Sequence, residues 1–190
     1  MGLLDTLLGR TKPVAPKLDN LFGLPSAAIT LQAAMNMRPT GTGSVCFRPA
    51  EGRAFSEVES DVRELLSMGG SKTQVEVTTD SYGFTWLVCR HPADDVEGLV
   101  TDLHAVNSSL EQNGFGPMLL CTILAFTDDQ GRRLGLVYLY KRGTFYPFAP
   151  LTGERRDNTL EMQVRGTVAD DLKIEADLSR WFPVWGAPGL

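Results

Sequence analysis

The chain has 190 residues, of which 43% are hydrophobic and 22% charged, and its formal net charge is −5. This composition fits one globular domain and excludes wholesale disorder. The acidic balance argues against a protein that binds the phosphate backbone of nucleic acid. No stretch approaches the ~18 uninterrupted apolar residues of a membrane-spanning helix.

The N-terminal segment MGLLDTLLGR has the apolar spacing of a short helix. Four leucines share one face of it: Leu3, Leu4, Leu7 and Leu8. The following TKPVAPK contains two prolines and predicts a semi-extended linker. We therefore divide the chain into residues 1–16, a leucine-faced peptide with its linker, and residues 17–190, a single α+β domain. Because so short a helix is marginal in water, it needs a surface to cover, and a membrane, a partner and the domain itself all remain open.

The first half of the domain predicts a short helix at 17–23, followed by strands at Ala27–Gln32 and Ser44–Arg48. The turn-forming residues 38–43 separate these two strands. A helix is predicted at 55–67, because Ser56 and Glu59 form a capping box ahead of apolar residues at helical spacing.

The second half predicts a hairpin of strands 73–79 and 84–90, then a helix that begins at Asp94 or Asp95 and ends at Asn113-Gly114. Strands follow at Met118–Phe126 and Leu134–Tyr140, then a helix at about 154–170 that opens with charged residues. The aromatic tail 178–190 is expected to pack back on the domain. This order predicts an α+β fold whose sheet is antiparallel or mixed, with helices mainly on one face, loosely similar to small secretion-chaperone folds.

Catalytic and metal-binding patterns are weak. His104 lies on the polar face of its helix without a convergent acid or nucleophile, and His91 precedes a proline in a turn. The paired aspartates at element boundaries are explained by caps and turns, and Cys46, Cys89 and Cys121 have no metal-ligand spacing. We therefore predict no catalytic residue, no metal, no cofactor and no enzymatic activity.

Basic and aromatic residues cluster near the last predicted hairpin. Arginine forks beside aromatic rings suit an acidic peptide, a carboxylate or a phosphate. The alternative is that these side chains are ordinary solvent-exposed residues of the hairpin and the next helix and bind no partner. We predict a partner-binding surface made of Tyr140, Lys141, Arg142, Phe145, Tyr146, Arg155 and Arg156, with Leu3, Leu4, Leu7 and Leu8 as a membrane or partner anchor.

Several blocks together resemble one family over essentially the whole chain. They are MGLLDTLLGRTKP, LPSAAITLQAA at 24–34, DSYGFTWLVCR at 80–90, LVTDLHAVNSSLEQNGFGPMLLC at 99–121, LVYLYKRGTFYPFAPLTGERRDN at 136–158 and DLSRWFPVWGAPGL at 177–190. The family that they resemble is the actinobacterial PspA-associated protein PspAB.

The resemblance implies a place in the phage-shock, or envelope-stress, system built around the membrane-remodelling protein PspA, where a membrane-bound protease is often found as well. It carries over no catalytic residues. We expect a non-enzymatic adaptor that acts through protein–protein contacts with PspA or another membrane-stress component, located in the cytoplasm or peripherally at the inner face of the cell membrane. Two alternatives stay open: a chaperone-like dimeric binding domain, and a small-ligand-binding protein or enzyme built around His104.

Overall fold

The computed structural model describes residues 17–48, 60, 64 and 74–190. The predicted leucine-faced peptide, with Leu3, Leu4, Leu7 and Leu8, lies outside the described residues. The predicted helix at 55–67 also lies outside them, apart from residues 60 and 64, which are helical.

In the part of the chain that the structure describes, six strands form one antiparallel sheet. They are β1 (Arg38–Phe47), β2 (Gln74–Thr79), β3 (Thr85–Arg90), β4 (Leu119–Thr127), β5 (Arg133–Leu139) and β6 (Thr144–Phe148). Their order across the sheet is β2-β3-β1-β4-β5-β6, and each strand runs antiparallel to its neighbours. Two short strands, β7 (Pro150–Leu151) and β8 (Arg155–Arg156), pair separately. The predicted α+β class is confirmed, with the sheet antiparallel.

Within residues 17–48 and 74–190, three α-helices pack on one face of the sheet, as predicted. They are α1 (Leu24–Met35), α2 (Val96–Leu110) and α3 (Asn158–Thr167), and a 3₁₀ helix, Leu18–Gly23, precedes α1. Asp95 begins α2 by accepting a hydrogen bond from the Gly98 amide at 3.0 Å. Their apolar side chains meet those of the strands in the main core, which includes Leu31, Leu103, Val164, Leu87, Leu124 and Phe145.

The second face of the sheet is also apolar, and the C-terminal tail covers it. A second core contains Trp86, Ile123 and Phe148 from the sheet together with Trp181 from the tail. The Trp181 ring stacks on Tyr146 with centroids 6.0 Å apart. The sequence prediction that the tail packs back on the domain therefore describes its main role, which is to bury this face.

The predicted strand at Ala27–Gln32 is wrong, because these residues belong to helix α1. Pro25 stands in the first turn, where it costs no hydrogen bond, and Asn36 ends the helix in the left-handed conformation. Ala27, Ala28 and Leu31 face the core at helical spacing, while Ile29 is 72% exposed. The β-branched Ile29 and Thr30 imitate a strand pattern, but tertiary packing on the helical face decides the outcome.

The predicted loop at 38–43 is also wrong, because β1 begins at Arg38 and runs through it. An irregularity in the pairing with β4 between Pro39 and Gly43 accommodates the turn-forming residues within the strand. Gly41 has φ 75°, and its carbonyl accepts a hydrogen bond from the His91 amide at 2.9 Å. The glycines thus mark a bulged strand rather than a connection between strands.

The last predicted helix is shorter than expected. The charged run 154–157 precedes α3 instead of opening it, since Gly153 and Glu154 both have positive φ and turn the chain. Asp157 then begins the helix by accepting a hydrogen bond from the Leu160 amide at 2.9 Å.

Gly41 gives a direct test of the bulge. A Cβ atom added at Gly41 would lie 2.1 Å from the His91 carbonyl oxygen, in a backbone conformation that already disfavours side chains. We expect Gly41→Ala to lower the free energy of unfolding by about 3 kcal/mol, measured by urea denaturation. Gly131→Ala is the matched control, because Gly131 has the same φ of 75° with nothing within 4 Å, and it should cost about 1 kcal/mol. Equal losses in the two variants would show that the approach to His91 is unimportant.

Candidate functional site

A cavity of about 600 Å³ lies between the second face of the sheet and the C-terminal tail. It lies over the end of the sheet at which β1 ends and β4 begins. Three of its lining residues, Cys46, Cys121 and Leu139, are neighbours there on the adjacent strands β1, β4 and β5. The 80–84 turn of the β2–β3 hairpin forms one side, and the β5–β6 turn with Arg180 forms another. Tail residues 182–185 complete the wall.

The floor of the cavity is apolar and uncharged. Cys46 and Cys121 stand directly opposite each other on β1 and β4, both buried and neither in a disulfide. A hydrogen bond with the Cys121 thiol, together with burial, raises the pKa of Cys46, so this thiol stays neutral. Trp86, Leu120 and Tyr146 add hydrophobic surface around the two thiols.

The side of the cavity at the β5–β6 turn is basic. Lys141 and Arg142 lie in this turn, and Arg180 comes from the tail. The Arg142 Nε donates to the Glu175 Oε2 at 2.5 Å, and the Arg180 Nε donates to the Asp177 Oδ2 at 3.0 Å. Both of these contacts use Nε, so the Nη groups of the two guanidinium groups are suited to a further acceptor.

Glu175 anchors this basic side to the fold. Its side chain is 3% exposed, and it also accepts hydrogen bonds from the Thr144 hydroxyl at 2.8 Å and the Asp177 amide at 3.2 Å. Burial alone would raise the pKa of Glu175, but the hydrogen bonds, that from Arg142 first, outweigh it and hold the pKa below its ordinary value. The carboxylate is therefore charged and satisfied, and it fixes Arg142 at the cavity.

The opposite side of the cavity is formed by the β2–β3 hairpin. Asp80 lies there, but its oxygens are occupied inside the turn by the amides of Tyr82 and Phe84, each at 2.9 Å, and by the Trp86 indole at 2.8 Å. The rings of Phe84 and Phe182 are partly exposed at the mouth, Phe182 by 59%. The mouth therefore carries Phe84 from the hairpin and Phe182 from the tail, with basic groups at the β5–β6 turn.

The predicted partner-binding residues are distributed over both faces of the sheet. Lys141 and Arg142 are exposed and line the cavity, while Tyr146 is buried in its wall and donates from its hydroxyl to the Phe182 carbonyl at 2.8 Å. Tyr140 and Phe145 are buried on the helical face, in the main core. The structure thus brings three of the seven residues together at one site.

The other two members of that set lie near the short β7–β8 pair. Arg155 is exposed and donates from Nε to the Thr152 carbonyl at 3.2 Å. Arg156 is largely buried: its Nε donates to Glu161 at 2.9 Å, it contacts the Trp181 carbonyl, and its guanidinium lies 5.1 Å from the centre of the Phe148 ring. Arg156 therefore holds the tail on the sheet, and its removal tests folding more than partner binding.

Sequence reasoning missed most of the cavity wall. Trp86, Phe84 and the opposed pair Cys46 and Cys121 had no assigned role. The aromatic tail was the available signal, since so many rings in a final segment require an apolar surface to cover. The pairing of the two cysteines depends on the register of β1 against β4, which no local pattern reveals.

His91 has a more defined environment than the turn prediction implied. Its Nδ1 lies 2.8 Å from the Asp95 Oδ2, and its Nε2 lies 2.7 Å from the Asp102 Oδ2. Burial lowers the pKa of His91, but these hydrogen bonds outweigh it and raise the pKa above its ordinary value. The imidazolium therefore joins the end of β3 to helix α2, which is a structural role.

His104, the candidate for an enzymatic alternative, lies against the 3₁₀ helix. Its Nε2 is 3.3 Å from the Asp19 Oδ1, and its ring lies 4.8 Å from the Phe22 ring. Within residues 17–48 and 74–190, no three His, Cys, Asp or Glu side chains converge as a metal site. No helix in the described part of the chain is long and apolar enough to cross a membrane.

Comparison with known proteins gives a family. The family model PspAB, described as PspA associated protein B, matches residues 1–189. No curated protein matches the chain, and neither does any solved structure. The expected likeness to secretion chaperones is therefore unsupported.

Replacement of Arg142 should destabilise the protein through Glu175. Arg142→Ala leaves a buried carboxylate without its cation, and we expect a loss of about 2 kcal/mol at neutral pH, less than for a fully buried pair because Arg142 is half-exposed. A depressed pKa stabilises the fold above the unfolded-state pKa, and this contribution is lost as pH falls through the folded-state pKa. Acid unfolding of Arg142→Ala, followed by circular dichroism, should therefore begin at higher pH. Arg180→Ala is the control, because its partner Asp177 is half-exposed, and a loss as large as that of Arg142→Ala would contradict this account.

The His91 contacts predict a contribution to stability whose pH dependence is opposite to that of Glu175. Because the pKa of His91 is raised in the folded state, its contribution is complete below the unfolded-state pKa of about 6.5 and is lost as pH rises through the folded-state pKa. An NMR titration of the full chain should show His91 with a midpoint above 6.5. His91→Gln should remove this component from the pH dependence of unfolding; a His91 midpoint at or below 6.5 would contradict the two-carboxylate contact.

Proposed function

Because the chain belongs to the PspAB family, whose description is PspA associated protein B, we propose that it is a non-enzymatic adaptor that binds PspA through protein–protein contacts. The family match covers residues 1–189 and so includes both sides of the cavity.

The observation that carries the proposed surface is the pair of partly exposed rings at the cavity mouth. Phe84 is 37% exposed and Phe182 59% exposed, and they belong to segments far apart in sequence. Exposed aromatic side chains beside an apolar depression are typical of protein-binding sites. Tyr82, also half-exposed, extends the same apolar rim, and its hydroxyl donates to Glu154 at 2.5 Å.

The basic side of the mouth would determine the orientation in which a partner binds. Lys141 and Arg142 lie in the β5–β6 turn, on the other side of the cavity from Phe84 in the β2–β3 hairpin. A helix with apolar residues on one face and acidic residues beside them would place the two kinds of side chain against the matching halves of the mouth. This is the arrangement that we propose for a helical segment of PspA, a protein expected to consist of long charged helices.

The predicted contact residues differ in their exposure to solvent. Lys141, Arg142 and Arg155 are exposed and remain candidates for direct contact, while Tyr140, Phe145 and Tyr146 are buried and would act by supporting the fold. Arg156 holds the tail that carries Phe182. The contact proposed here therefore centres on Phe84, Phe182 and Lys141.

The proposal is tested by measuring binding of the purified full chain to PspA from the same organism by calorimetry. The double variant Phe84→Ala, Phe182→Ala should weaken binding at least tenfold, because aromatic anchors dominate such interfaces. Lys141→Glu should weaken it further at low salt.

Ile29→Ala is the matched control, since Ile29 is an exposed apolar residue on the helical face, away from the cavity. It should bind PspA as the unmodified chain does. Unchanged affinity in the double variant would overturn the surface, and absence of binding by the unmodified chain would overturn PspA as the direct partner.

A further inference from the structure

We propose that the cavity beneath the tail binds a single-chain carboxylate amphiphile, a fatty acid, with its alkyl chain on the apolar floor and its carboxylate at the basic side. This proposal uses the interior of the cavity, whereas the proposed contact with PspA uses the exposed rings at the mouth; the basic side of the cavity belongs to both.

The size and lining of the cavity fit such a ligand. Its volume of about 600 Å³ lies within the range of about 300–1,000 Å³ that is usual for small-molecule sites. Most of its lining is aliphatic, aromatic or thiol, with Leu119, Leu120 and Leu139 beside Trp86 and Tyr146. Polar partners for a sugar, a nucleotide or a peptide backbone are scarce along this surface, whereas an alkyl chain needs none.

The polar groups on the floor are already satisfied or neutral. The Tyr146 hydroxyl donates to the Phe182 carbonyl, and the Trp86 indole donates to Asp80. The Cys46 and Cys121 thiols contact each other. An alkyl chain therefore meets no buried polar atom that it would deprive of a hydrogen bond.

The charges at the cavity determine where the head group lies. Asp80 occupies the hairpin side, with both oxygens engaged, and would repel a carboxylate. Lys141, Arg142 and Arg180 line the other side, and the Arg142 and Arg180 contacts with Glu175 and Asp177 are made through Nε. The Nη groups of the two arginines and the Lys141 ammonium then give a carboxylate charge-assisted hydrogen bonds.

The experiment is a calorimetric titration of the full chain with decanoate, dodecanoate and tetradecanoate, below their micelle concentrations. Each two-carbon extension should tighten binding about tenfold until the cavity is full, because each buried methylene contributes a roughly constant free energy. Binding should be saturable, with one molecule per chain, and should change the fluorescence of the tryptophans that line the cavity, Trp86 and Trp185.

Two sets of variants test the site of the alkyl chain and the site of the head group separately. The double variant Leu120→Trp, Val184→Trp narrows the cavity from opposite walls, and it should weaken tetradecanoate binding at least tenfold while the unfolding transition is retained. The double variant Lys141→Ala, Arg180→Ala should weaken dodecanoate about tenfold and leave dodecanol unchanged. Lys173→Ala is the matched control, because Lys173 is exposed and is not among the cavity-lining residues.

Binding that does not depend on the length of the alkyl chain, or that is unchanged in the folded double tryptophan variant, would overturn the proposal. Lack of dodecanoate binding would also overturn it. In that case, a dimer observed by analytical ultracentrifugation would assign the cavity to a second copy of the protein. Binding of a synthetic peptide of residues 1–10 would instead assign it to the leucine-faced segment. PspA binding is measured separately, so failure of either proposal leaves the other standing.

Discussion

An antiparallel sheet that is apolar on both faces must have both faces covered, and the other features of this protein follow from that requirement. Antiparallel sheets often leave one face in water, with polar residues alternating along the strands. Here β6 is buried along its whole length, with Phe145 directed to one core and Tyr146 and Phe148 to the other. Among residues 17–48 and 74–190, three α-helices cover the first face and the C-terminal tail covers the second.

The segment that leads into the tail is held by specific contacts at the edge of β6. The Phe145 amide donates to the Lys173 carbonyl at 2.9 Å, and the Glu175 amide donates to the Phe145 carbonyl at 2.7 Å. These bonds satisfy part of an otherwise exposed strand edge. The Glu175 carboxylate then binds Arg142, and the Trp181 indole donates to the Glu175 carbonyl at 3.0 Å. One short stretch thus closes the sheet, neutralises a buried charge and directs the tail over the second face.

The cavity follows from the way in which the second face is covered. A tail with little regular structure cannot cover as much sheet as three packed helices do. Trp181 and Ala187 pack closely on the sheet. Where β1 ends and β4 begins, the tail and the sheet are separated by the cavity. Partner contact and ligand binding, both proposals, would meet at this tail, because Phe182 lies on the mouth and Val184 lines the interior. A ligand that supported the tail from beneath would affect partner binding by changing the population of one tail position.

Local sequence patterns correctly predicted the α+β class, the β2–β3 hairpin, the start of helix α2 and the docking of the aromatic tail, whereas α2 ends at Leu110, before the predicted Asn113-Gly114. These features depend on local signals: apolar residues at a period of 2 or 3.6, the Asp95 cap, and turn residues such as Gly83. The sequence misplaced residues 27–32 and 38–43, because Ile29 and Thr30 imitate a strand and the glycines of the bulge imitate a turn. The tertiary structure was needed to show which cysteines stand opposite each other and where the tail leaves a cavity. It also decided which predicted contact residues are buried. Those outcomes depend on strand register and on contacts such as that between Arg142 and Glu175, which join residues too far apart in sequence for any local pattern to encode.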